Sequence, residues 1–202
     1  MLHKGLWKQL IPLDPQQTAK RANCQYLSDP DRYVIAMLNT EYIINLSNRE
    51  ISSAGPGGEP IPSEFLEQLC ILAYLINVQD LPLNNKLTKF EALPGGQFFF
   101  RGVHGLPIDK LEEAFGNHPA AILQVVERFD AKKCEYGDAS IELHVLPRIP
   151  LTIVIWGGCD EFPARVSLLC DSTASSHLPL DALLTAVNLA VDAVIEACEK
   201  SS

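Results

Sequence analysis

Two apolar runs in the last third of the chain constrain its fold more than any other feature. Leu151 to Trp156 reads LTIVIW and Val166 to Cys170 reads VSLLC, with Gly157-Gly158 and Pro163 in the loop between them. Short apolar runs bounded by turn residues are the pattern of strands buried on both faces. A loop of about ten residues without a helix is too short for a parallel crossover, so the two strands must pair antiparallel. Cys159, Asp160 and Glu161 then sit at the tip of the hairpin. Asp171 lies at the far end of the second strand, about 17 Å away.

The rest of the chain supplies what such a hairpin packs against. Leu180 to Ala197 places Leu183, Leu184, Val187, Val191, Val194 and Ile195 at helical spacing, which predicts a long C-terminal helix. Phe65 to Ile76 is apolar on most sides, a central core helix, and Ser63 is its expected N-cap. Lys4 to Leu10 predicts a short first helix, and Asp14-Pro15 opens a second that runs to about Cys24. Arg32 to Leu38 and Glu41 to Leu46 read as strands around a tight turn at Asn39-Thr40, with Ile51 in a third short strand. Ser52 to Pro62 reads as a loop, an exposed tether or a lid. Thr88 to Leu93 predicts a short helix and Gln97 to Val103, with three phenylalanines, a strand.

Ile108 to Phe115 predicts a helix ended by Gly116 at positive φ, and Pro119 opens another to about Phe129. Ser140 to Leu146 alternates as a strand. The prolines at 147 and 150 place the strand after them at an edge, or give it an abrupt start. Early strands, middle helices, then strands and a helix make this α+β. The expectation is one domain over residues 1–202, antiparallel hairpins packed against several helices.

Sixteen basic residues against 25 acidic ones give a net charge of -9. Nucleic acid and anionic membrane both require a basic footprint, so neither is the expected partner. No apolar run approaches the roughly 18 residues that span a bilayer, and the N-terminal stretch lacks the pattern of a secretory signal. The chain therefore reads as cytoplasmic. Its six cysteines are not arranged as C-x-x-C, which argues against a zinc ribbon or an iron–sulfur cluster.

Several blocks carry a family resemblance. They are Phe90 to Gly96, Ala114 to Gly116, Leu146 to Trp156 leading into Glu161 to Ala164, and Leu168 to Asp181. Together they resemble the prokaryotic family called domain of unknown function 3786, over nearly the whole chain. The resemblance implies an anaerobe-associated protein. Some members carry an appended iron–sulfur segment like that of corrinoid-linked and electron-transfer proteins. That segment is missing from this sequence, so cluster binding does not carry over. In the resembled pattern the position of Cys159 is usually an aspartate, which weakens a metal role for its loop.

The candidate site residues fall in two groups. Asp160 and Glu161 offer oxygen ligands to a hard cation, although strand ends also carry acids simply because loops are wet. Asp171 and His177 flank one loop that ends at the N-terminus of the last helix. An imidazole there could ligate a metal or work as an acid or base, or merely finish a loop. Arg101, Arg148 and Arg165 could clamp an anion, or pair with the chain's surplus acids, and Trp156 is a further ligand-binding candidate. His144, on a strand pattern, reads as a satisfied sheet residue. Three functions stay open. One is a binding module for a small molecule or cofactor, a corrinoid or other tetrapyrrole, or one that docks on a redox protein. The second is a metal-assisted hydrolase or proton-transfer enzyme, and the third a scaffold without ligand.

Overall fold

The computed structural model describes residues 3–55 and 57–200; Met1, Leu2, Pro56, Ser201 and Ser202 lie outside the described residues. The chain opens with two helices, α1 (Lys4–Leu10) and α2 (Pro15–Ala22). Asp14 Oδ1 accepts the backbone N–H of Gln17 at 2.8 Å, satisfying one of the free donors at the start of α2. The helix ends before Cys24 because Asn23 turns left-handed, at φ 51°.

A five-stranded meander follows, all antiparallel and in chain order: β1 (Gln25–Ser28), β2 (Asp31–Met37), β3 (Thr40–Asn45), β4 (Glu50–Ala54) and β5 (Pro60–Pro62). The turn between β2 and β3 is Leu38-Asn39, both left-handed, as a two-residue hairpin of matching twist requires. The expected loop from Ser52 to Pro62 is mostly sheet. β4 and β5 pair across it, and Gly55 N–H donates to Glu59 O at 2.7 Å, with Pro56 outside the described residues. Proline survives in β5 because that strand is an edge.

Helix α3 (Phe65–Asn77) crosses the core, with Cys70 to Leu75 buried. Its cap is Glu64 rather than Ser63. The N–H of Glu64 donates to Glu67 Oε2 at 2.8 Å, while Ser63 Oγ turns away to donate to Ile51 O. Glu67 Oε1 also accepts the Tyr42 hydroxyl of β3 at 2.6 Å, so one carboxylate caps the helix and fastens it to the first sheet.

The second sheet is again antiparallel. Its strands are β6 (Leu87–Lys89), β7 (Lys132–Lys133), β8 (Ala139–Leu146), β9 (Ile149–Trp156) and β10 (Arg165–Asp171), in the order β6-β10-β9-β8-β7. β9 and β10 form the expected hairpin, and every residue of β9 except Trp156 is buried. The strand after the two prolines is thus the centre of the sheet, not its edge. Pro150 is tolerated because β8 carries a bulge there: His144 pairs with Pro150 and Leu146 with Ile149, which leaves Val145 out of the ladder. The freed carbonyl of Val145 accepts the N–H of Leu38 at 3.1 Å, joining the two sheets.

The remaining expectations meet the packing in different ways. Gln97 to Val103 is not a strand. Gly95, at φ 77°, starts the short helix α4 (Gly96–Phe99), and a 3-10 turn follows over Gly102–His104. Phe90 to Ala92 and Pro119 to Val125 are also 3-10 turns, shorter and tighter than the helices expected there. Helix α5 (Ile108–Phe115) forms as expected, but Gly116 keeps a right-handed φ of -58°. The glycine serves close approach instead: a Cβ on Gly116 would stand 2.6 Å from the Cβ of Ala164 in the β9–β10 loop.

After the short helix α6 (Ala174–His177), α7 (Leu180–Glu199) closes the molecule. Its buried face includes Ala182, Ala186 and Ala190, small enough for α3 to come near, and Cys70 Sγ contacts Ala182 O at 3.6 Å. One hydrophobic cluster runs through both sheets and both long helices. Among the described residues no helix is long and apolar enough to cross a membrane.

Candidate functional site

The β9–β10 loop presents Cys159, Asp160 and Glu161 to solvent. Cys159 N–H donates to Phe162 O and Gly158 N–H to Gly116 O, so the loop is a folded tip seated on the end of α5. Asp171 stands at the other end of β10, opposite Leu87 of β6. No group of three or more His, Cys, Asp or Glu side chains able to hold a metal ion occurs among the described residues.

Asp171 and His177 are both interior. Asp171 is 3% exposed, and its carboxylate accepts four hydrogen bonds: from Thr173 Oγ1 at 2.6 Å, Thr173 N at 2.9 Å, and Asn84 N and Lys86 N at 3.2 Å. Burial pushes its pKa up, but those donors outweigh burial and hold the carboxyl below its ordinary value. His177 is fully enclosed, and neither ring nitrogen has a partner. Burial lowers its pKa first and the Arg148 cation adds to this, with Asp171 opposing. The two side chains share one interior region, yet neither lines the concave surface at the seam of the two sheets.

Arg148 and Arg165 are both engaged. Arg148 Nε donates to Arg21 O at 2.7 Å and Nη1 to Leu81 O at 2.8 Å, with Nη2 3.7 Å from Asp80. Arg165 is the register partner of Trp156, and its guanidinium lies 5.5 Å from the centre of that ring. That is the cross-strand cation–π pair of a solvated sheet end.

A broad concavity lies elsewhere, where the two sheets meet. It has a volume of about 670 Å³ and is bounded by Asn23 to Gln25, Val34 to Ala36 of β2, Glu41 of β3, and His144 and Pro147 of the second sheet. A smaller recess of about 130 Å³ shares Ala36, His144 and Pro147 and adds Asn39 and Asp130. The geometry follows from strand alternation. Ile141, Leu143 and Val145 of β8 point into the core, so His144 projects from the opposite face and is exposed. On β2, Tyr33, Ile35 and Met37 are buried, which turns Val34 and Ala36 outward toward the same space. Glu41 stands opposite Ala36 in the register of β2 and β3.

The backbone around this cleft is unusual. Asn23, Leu38, Asn39 and Asp130 all take left-handed φ values between 47° and 59° without being glycine. Leu38 is the costliest of these, since a bulky side chain disfavours that region. Its N–H bond to Val145 and the bond from Asn39 Nδ2 to Arg128 O at 2.9 Å hold the turn in place. Cys24, at one wall, has its thiol pushed up to about 12 by burial, so it stays protonated and is not a ready nucleophile. Sequence reading passed over this site. The alternation of Ile141, Leu143 and Val145 with Glu142 and His144 was the signal that His144 faces away from the core, but nothing local showed which segment would lie across from it.

The fold is an α+β arrangement of two antiparallel sheets with a concave surface at their seam. The profile of the family described as a domain of unknown function (DUF3786) matches residues 14–193, and the chain belongs to that family. No curated protein and no solved structure matches the chain.

Proposed function

We propose that this protein is a binding module for a small molecule or cofactor, with its site in the cleft between the two sheets. The convergence of side chains from both sheets on one recess, Glu41 from the first and His144 from the second, carries the reading. Its volume of about 670 Å³ falls in the range of small-molecule sites, as does that of a groove between α5 and α7 at about 580 Å³. A tetrapyrrole is one ligand of this class. His144 offers an accessible imidazole, the donor that binds haem iron in many proteins. The amides of Asn23, Gln25 and Asn39 match the amide periphery of a corrin.

Titration with hydroxocobalamin and with haemin, followed by visible absorbance, tests the cofactor reading. A band shift that saturates with one of them, and is lost in His144→Ala, is the expected result. Equal shifts in the variant, or none with either compound, would remove tetrapyrroles from the ligands of this cleft.

A further inference from the structure

We infer that the cleft selects a ligand bearing a cationic, amine-type group and disfavours carboxylates and phosphates; this rests on the cleft being the binding site. The argument is the charge of its lining. Glu41 and Asp130 are the formally charged side chains bounding its two parts, and neither part is lined by lysine or arginine. The amides of Asn23, Gln25 and Asn39 and the imidazole of His144 are the other polar side chains around it. Arg32, two positions before Val34 on the same face of β2, lies outside the lining.

A phosphate or carboxylate site ordinarily offers a fork of arginine, a lysine or a set of free N–H groups to the anion. Here an anion would instead meet Glu41 in the larger part or Asp130 in the smaller, within a protein whose net charge is already -9. An ammonium group meets the opposite situation. Glu41 lies across from Ala36, and Ala36 and His144 border both parts of the cleft. A cation held near Ala36 therefore has a carboxylate on one side and a hydrogen-bonding ring on the other. The same lining prefers an amide-bordered corrin to a carboxylate-bearing haem.

Three probes of one shape separate charge from size: butylammonium, butanol and butyrate, titrated at fixed ionic strength and pH 8 into the full chain labelled with nitrogen-15. The readout is the backbone amide shifts of Gln25, Ala36 and His144. Butylammonium should saturate those shifts at a concentration about tenfold below that needed for butyrate, since the exposed Glu41 carboxylate attracts the one probe and repels the other. Glu41→Gln, an exposed substitution, should remove most of that preference. Butyrate or butanol matching the ammonium would overturn the charge preference and leave the cleft as a binding site. No shift at those amides with any probe would overturn the cleft reading and this inference together.

Discussion

The backbone N–H of Arg148 donates to the Tyr74 hydroxyl at 3.2 Å, and that hydroxyl donates in turn to Ala22 O at 3.0 Å. One phenol thus bridges the turn between β8 and β9, helix α3 and the end of α2, three segments far apart in the sequence. Burial raises the Tyr74 pKa, so the hydroxyl keeps the proton it donates. The Arg148 side chain extends the bridge to Arg21 O and Leu81 O.

Tyr74→Phe should therefore cost more than one ordinary hydrogen bond. It leaves a backbone donor and a backbone acceptor without a partner in the interior, where each unsatisfied group costs about 1–3 kcal/mol. Urea unfolding should show a loss of about 2–4 kcal/mol with an unchanged slope. A loss below about 0.5 kcal/mol would mean that the bridge adds nothing beyond packing.

His177 predicts the opposite sign. An enclosed ring with two unpartnered nitrogens is a standing cost, so His177→Leu should stabilise the protein by about 1 kcal/mol at pH 7. The gain should grow on acidification. The folded-state pKa is lowered from 6.5, so the unfolded chain binds more protons below that value, and wild-type stability falls as pH drops through the window beneath 6.5. Asp171 adds a separate, more acidic loss. Its folded-state pKa lies below 3.8, so its contribution is present above that value and disappears as pH falls through the folded pKa. Unfolding midpoints at pH 7, 5.5 and 4.5 check the histidine part: the leucine variant should lose less stability across that range. Parallel curves would place the proton uptake on another group.

The sequence showed what depends on periodicity and chain length. β9 was legible because it is apolar at every position but one, and its antiparallel pairing with β10 because the loop between them is short. What it hid depends on partners far along the chain. Pro150 argued for an edge, and only the bulge at Val145, which lets Leu38 bond across, makes a central proline possible. The phenylalanines at 98 to 100 have the composition of a strand, but Gly95 turns the backbone into a helical turn first. The cleft was hidden for the same reason. His144 was visible as a position on a strand, while Asn23, Glu41 and Asp130 reach it from three other parts of the chain.

Leu38 links fold and cleft, and it yields a test of whether the strained turn is kept for stability. Its φ of 50° is uncommon for leucine and ordinary for glycine or asparagine. Leu38→Asn keeps the backbone N–H that bonds Val145 O and removes most of the conformational cost. The side chain is only partly buried against the core, so the substitution sacrifices little apolar packing. The two effects, each about 1 kcal/mol, should nearly cancel. Stability by urea unfolding should stay within about 1 kcal/mol of wild type. Leu38→Pro retains neither the N–H nor the left-handed φ, so it should unfasten the sheets and cost about 3 kcal/mol or more. A proline variant as stable as the asparagine one would show that the Leu38–Val145 bond does not hold the two sheets together, and the cleft built on that seam would lose its rigid frame.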